Sequence, residues 1–148
     1  MMQLKKVLQN KGGKPVTLPE TATVAAAIHA MNDNRVGSVM VPAASGEPAG
    51  IFTERDVLRL CAQNKTDFGN MPIRDYMTCD LTIGKPGDTV SETLATMTAK
   101  RFRHMPVVEE GKMVGVVSIG DLVKAKLEET AIEAQNLREY IHSPSRRS

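Results

Sequence analysis

The chain has 148 residues, 41% hydrophobic and 24% charged, enough for one ordinary domain or two small halves sharing a core. The 19 basic and 17 acidic side chains leave a net charge of +2, too balanced for an electrostatic footprint on nucleic acid or an acidic membrane, and aromatics of 3% with no Trp weaken a base-stacking platform. No stretch approaches the ~20 apolar residues of a membrane span, Met1 to Val16 lacks the apolar run of a signal peptide, and Cys61 and Cys79 form no CxxC pair, which fits a reducing cytoplasm without disulfide or zinc site.

In chain order, Leu4 to Gln9 is a short helical lead-in. Thr23 is an N-cap, and Val24, Ala27, Ile28 and Met31 follow at helical spacing. Arg35 to Pro42 reads as a strand, because its β-branched run ends at a Pro/Gly-rich loop, 43–49. Gly50 to Thr53 is a second strand, and Thr53 opens a helix to about Ala62, with Val57, Leu58 and Cys61 on one face. A polar connector follows, and then a second lead-in over Ile73 to Met77. Thr89 starts a helix striped by Val90, Leu94 and Met97. Met105 to Glu109 and Met113 to Ser118 are strands joined by the tight turn Glu110-Gly111-Lys112, and Ser118 opens the last helix. That helix runs to about Ile141, because Leu127, Ala131, Ala134, Leu137 and Ile141 keep a helical stripe. The tail, His142 to Ser148, is frayed.

This order is one unit used twice. Gly50-Ile51-Phe52-Thr53-Glu54-Arg55-Asp56 returns as Gly115-Val116-Val117-Ser118-Ile119-Gly120-Asp121: Gly, two apolar residues, a hydroxyl, two spacers, Asp. Val24 aligns with Val90, Met31 with Met97 and Arg35 with Arg101, and the register slips by one residue at the hairpin loop, an easy place for an insertion. The boundaries are 1–66 for the first copy, 67–72 for the connector, 73–127 for the second copy, and 128–148 for the extended helix and tail. An apolar stripe reaching beyond the body needs a surface to cover, and a partner subunit is the expected one.

The Thr53-x-x-Asp56 and Ser118-x-x-Asp121 spacings are capping boxes at strand-to-helix junctions, worth about 1 kcal/mol each. They also put a carboxylate beside free helix amides and a positive dipole end. Such a carboxylate can accept from two ribose hydroxyls while the amides face a phosphate. Arg101-Phe102-Arg103-His104 adds cations suited to phosphate, although a charge run at the start of a strand is also simply solvated.

Taken together, the twin Gly-h-h-Thr/Ser-x-x-Asp motifs, Arg103-His104-Met105-Pro106-Val107-Val108 and Asp75-Tyr76-Met77-Thr78 resemble a tandem cystathionine β-synthase-type (CBS) domain pair, from about Leu4 to Lys126. The resemblance implies an α/β (α+β) fold of two small sheets with flanking helices, related by a pseudo-two-fold axis. Short lead strands near Val16-Thr17 and Leu81-Thr82-Ile83 would complete the sheets. It implies two clefts between the copies for adenosine-containing ligands such as AMP, ADP, ATP, NAD or S-adenosylmethionine. Asp56 and Asp121 would hold ribose, with Thr53 and Ser118 at the phosphate end. Backbone near Thr17, Thr82 and Ile83 would read adenine. Arg103 and His104 would meet phosphate in the second site, where Met105 and Pro106 would wall the base, and Arg55 would reach phosphate from the other copy. The first copy has Gly37-Ser38-Val39-Met40 where the second has Arg103-His104-Met105-Pro106, so the clefts would bind unlike groups. The first would suit a less charged or bulkier one and be weak or empty.

The function so implied is a stand-alone cytoplasmic sensor without chemistry of its own, a homodimer through its CBS faces and last helix, signalling to a separate effector protein. No Gly-x-Ser-x-Gly, His-Glu-x-x-His or Walker A loop is present. A small nucleotide-handling enzyme using Asp56 or Asp121 as base is the alternative. A nucleic-acid binder is the weakest reading.

Overall fold

The computed structural model describes residues 1–142; the expected frayed tail beyond His142 lies outside them. Helix α1 spans Leu4–Lys11, α2 Val24–Asn34, α3 Glu54–Ala62, α4 Val90–Lys100 and α5 Ile119–His142. Strands β1 (Ser38–Pro42) and β2 (Pro48–Thr53) form one antiparallel hairpin, and β3 (His104–Glu109) and β4 (Lys112–Ser118) form the other. The architecture is the mixed α/β pair of repeats implied by the duplicated motif. No helix among the described residues is long and apolar enough to cross a membrane.

Local chemistry sets the repeated boundaries. Thr23 Oγ1 accepts from the Ala26 amide and Thr89 Oγ1 from the Glu92 amide, each at 3.1 Å, so both hydroxyls cap the helices they precede. The expected strand from Arg35 starts three residues late. Arg35 takes a left-handed conformation, φ 54°, that closes α2, and Arg101 closes α4 at φ 59°. A non-glycine residue there carries strain of about 1 kcal/mol, yet both arginines keep it.

The two cores are completed crosswise. Val24, Ala27, Val39, Val41, Phe52 and Leu60 of the first repeat bury together with Met71 and Ile73 from after it. Val90, Met97, Met105, Val107, Val117 and Leu122 of the second bury together with Leu4 and Val7 from α1, at the start of the chain. Backbone hydrogen bonds fix the exchange: the Ile73 amide donates to Ala22 O at 2.8 Å, and the Leu4 amide to Asp88 O at 2.9 Å. The two lead-ins are therefore counterparts, but unequal ones. The first is a two-turn helix, whereas the second is a single 3-10 turn, Ile73–Asp75. The sheets meet at a small apolar seam of Met40, Ile51 and Val116, edged by Leu81 and Met113. The lead strands shrink to single bridges, Thr17 to Met40 and Gly84 to Val107.

Helix α5 leaves the body after Ala125. Leu127, Ile132, Leu137 and Ile141 are all at least half exposed along it.

Candidate functional site

Both motif acids fold as capping-box acids. Asp56 Oδ2 accepts from the Thr53 amide at 2.9 Å, and the Asp56 amide donates to Thr53 Oγ1 at 3.4 Å. Asp121 Oδ2 accepts from the Ser118 amide at 2.9 Å, and the Asp121 amide donates to Ser118 Oγ at 3.1 Å. The carboxylates differ in what else they hold. Asp56 is 3% exposed and pairs with Arg59 of its own helix at 3.0 Å. Asp121 is partly exposed and pairs at 2.8 Å with Lys11, 110 residues away in sequence at the end of α1.

Each acid opens into a cleft whose opposite wall comes from the other repeat. The Asp56 cleft, about 260 Å³, joins Thr53, Arg55, Asp56 and Arg59 to Arg101, Phe102, Arg103 and His104, with Thr78 beside them. Arg55 Nη1 donates to Arg101 O at 3.1 Å and so ties α3 to the end of α4. The Asp121 cleft, about 300 Å³, joins Ser118, Asp121 and Val116 to Arg35, Gly37 and Ser38, with Lys11, Lys14 and Val16 along its rim. His104 lines both. Burial lowers the His104 pKa, and Lys11 lowers it further; Glu54 pulls it up, Arg103 down and Asp121 up, with a net shift below the usual imidazole value. Burial on its own would raise the Asp121 carboxyl, but the Lys11 ammonium and the Ser118 donors outweigh it and hold the group below the ordinary carboxylate range.

The expected site residues sort by strand geometry. Gly37, Ser38, His104, Ser118 and Asp121 come together in one cleft; Thr53, Arg55, Asp56, Arg103 and again His104 in the other. Val39 and Met105 line neither. Side chains alternate along a strand, so Ser38 and His104 face the clefts while Val39, 0% exposed, and Met105, 3%, face the cores behind. Pro106 is buried opposite Val116, and its carbonyl accepts from the Gly84 amide, so it walls no cleft. Thr17 is exposed on the outer side of its bridge, where Val16 rather than Thr17 reaches the cleft. Thr82 accepts from Lys100 Nζ at 3.5 Å, and Ile83 is 48% exposed; neither lines the two clefts.

Gly37-Ser38 lacks the basic pair of the second copy, as the sequence shows. Lys11, Lys14 and Arg35 supply cations there in place of the missing Arg-His pair. Lys11, Lys14, Arg35 and Arg59 are the cationic lining residues that sequence reasoning passed over. Arg35 was findable as the repeat partner of Arg101; Lys11 was not, because only the crossed packing of α1 brings it to Asp121. Among the described residues no cluster of His, Cys, Asp and Glu could hold a metal ion.

The CBS domain family model matches residues 10–63 and again 73–128. The mitochondrial "CBS domain-containing protein CBSX3" of Arabidopsis thaliana is 37% identical over 123 residues, which is 80% of this chain and 60% of that protein. The chain thus spans under two thirds of that relative's length. Among solved structures, a CBS-domain-containing protein of Agrobacterium tumefaciens is 33% identical with a TM-score of 0.79, covering 84% of this chain and 99% of its own. A CBS domain protein of Pyrobaculum aerophilum, solved in complex with AMP, is 32% identical with a TM-score of 0.75, covering 88% and 99%.

Those matches and the duplicated fold make this chain a member of the CBS domain family, carrying a tandem pair.

Proposed function

We propose that the chain is a regulatory module that binds adenosine-containing ligands, of the AMP, ADP, ATP or NAD kind, in its two inter-repeat clefts and does no chemistry on them. The observation that carries this reading is the make-up of each cleft: a carboxylate at a helix N-terminus from one repeat faces a cationic helix-end loop from the other. That is the donor and acceptor set a nucleotide requires, with the diol on the carboxylate and phosphate toward arginine, lysine and helix amides. The AMP held by the Pyrobaculum relative supports the same ligand class.

A role as enzyme is disfavoured by the acids themselves. Both sit in equivalent capping boxes, where catalysis calls for differentiated roles. A carboxyl held below its ordinary range, as Asp121 is, makes a poor general base near neutrality.

Because each cleft is built from both repeats, a bound nucleotide stabilises one relative orientation of the pair by its differential affinity for the two states. The exposed face of α5 then passes that orientation to a second copy or to an effector protein. A ligand at 100 times its Kd adds about 2.7 kcal/mol, a rise in Tm on the order of 10 °C for a chain of this size. A thermal-shift series with AMP, ADP, ATP and NAD on ligand-free protein tests the reading, with loss of the shift in Asp56→Ala and Asp121→Ala as the control. No shift with any of the four ends it.

A further inference from the structure

Asp121 is not waiting empty for a ligand, because Lys11 already occupies it. The ammonium donates to Asp121 Oδ2 at 2.8 Å and to the carbonyl of Val116 at 3.1 Å, and so spans the motif from strand to helix. Among the described residues the Asp56 cleft has no such plug from outside its repeat. Its acid pairs within its own helix, and the lead-in that corresponds to α1 stops as a 3-10 turn at Asp75 instead of continuing. The extra helical length of α1 is what delivers Lys11. Beyond it, Gly12 and Gly13 take φ values of +67° and +70°, and Lys14 rejoins the rim of the same cleft with Arg35.

We propose that Lys11 is the specificity-determining residue of the Asp121 cleft, a built-in counter-ion that bars neutral nucleosides and admits phosphorylated ones. The proposal rests on the adenosine-ligand reading of that cleft. Oδ2 is filled by the Ser118 amide and the Lys11 ammonium, so a ribose diol can bond one hydroxyl to Oδ1 but can engage both carboxylate oxygens only by displacing the ammonium. A neutral nucleoside gives the displaced cation no new anion, so the charge-assisted bond is lost outright. A phosphate gives it one, and the flexible four-carbon stem lets the ammonium follow. Lys14 and Arg35 are placed to share the phosphate charge. Lys11 and Asp121 are also the common wall between the cleft and a neighbouring hollow bounded by Asn10, Lys124 and Glu128, so moving Lys11 opens space.

The test uses the full chain, 15N-labelled, titrated with adenosine, AMP and ATP. The amides of Gly13, Gly37 and Ser118 report the Asp121 cleft, and those of Thr53, Thr78 and Arg101 the other. The variants are Lys11→Met, which keeps an apolar stem, Lys11→Gln, which keeps a polar one, and Lys11→Arg, which keeps the charge. In Lys11→Met and Lys11→Gln, adenosine should bind the Asp121 cleft about tenfold more tightly and ATP about tenfold more weakly, the scale of one charge-assisted bond. Lys11→Arg should keep the wild-type order. In the ligand-free chain, the Asp121 carboxyl should titrate higher in Lys11→Met than in the wild type. Equal changes for adenosine and ATP, or an unmoved Asp121 titration, overturn the proposal. Shifts confined to the Asp56-cleft reporters sink it while leaving the adenosine-ligand reading intact. No shift with any ligand at either set of amides takes down both.

Discussion

Gly37 and His104 touch across the seam between the repeats: a Cβ on Gly37 would lie 3.2 Å from His104 Nε2. The contact explains why the first repeat has glycine where the second has Arg103. A side chain at position 37 would have to share its space with the imidazole that lines both clefts, and with Glu54, whose carboxyl carbon would be 3.4 Å away. Gly37→Val should therefore displace His104 and weaken nucleotide binding in both clefts together, about tenfold in each if one phosphate hydrogen bond is lost. Isothermal titration against the wild type checks it; a defect in one cleft alone would contradict the shared role of His104.

The pH dependence of stability follows from the same histidine. Its folded-state pKa lies below the ordinary imidazole value of about 6.5, chiefly through burial. As pH falls through 6.5 the unfolded chain takes up the proton first, so the native state loses stability until the buried ring protonates too. Urea unfolding should be steady from pH 8 to 7 and weaken toward pH 5.5, and His104→Asn should flatten that slope. A flat wild-type profile would mean the ring is solvated. Asp121 acts in a lower window. Its contribution is present above the ordinary carboxylate pKa and is lost as pH falls toward its depressed native value, an effect that Lys11→Met should shrink.

Asp56 and Asp121 should separate in their cost to the fold. Asp56→Ala removes a nearly buried acceptor from the Thr53 amide and a partner from Arg59, and should cost about 1–2 kcal/mol. Asp121→Ala also loses a cap but leaves Lys11 partly solvated, and should cost about 1 kcal/mol. Denaturant midpoints measured at pH 7 give the comparison.

The glycine that opens each motif is fixed by the lead-in from elsewhere in the chain. A Cβ on Gly115 would lie 2.6 Å from Leu8 Cδ2, and one on Gly50 would collide with the Met77 sulfur. Gly115→Val and Gly50→Val should each destabilise by about 1–3 kcal/mol through overpacking. Gly115→Val combined with Leu8→Ala should recover part of the loss, which a double-mutant cycle reads directly.

Leu4, fully buried in the core of the second repeat, should behave as a core residue despite its place near the start of the chain. Leu4→Ala should cost about 2–5 kcal/mol. An exposed terminal leucine would cost almost nothing, so thermal unfolding distinguishes the two.

Most of the fold was legible because its signals are local. The hydroxyl caps at Thr23, Thr53 and Thr89, the helical stripes and the Glu110-Gly111 turn each declare themselves within a few residues. The repeat then supplied what local pattern lacks, since a motif met twice fixes where its partner lies. The twin acids were read from that repeat, whereas the Arg103-His104 pair, which the first copy lacks, came from the family resemblance. Val39, Met105 and Pro106 were misplaced because a motif marks a segment and strand alternation decides which side chains face out. The late start of β1 escaped because an arginine in the left-handed region leaves no compositional trace. Lys11 escaped for the deepest reason: nothing near it in the sequence says that α1 crosses to the far repeat.

That crossing governs how the chain can come into being. The socket for Leu4 is not complete until residue 125 has been made, so during synthesis α1 waits for the whole of both repeats with its apolar face uncovered. Cutting out either repeat removes part of the other's core, and a nascent chain halted between the two would hold a first core without its Met71-Ile73 plug and an α1 without a home.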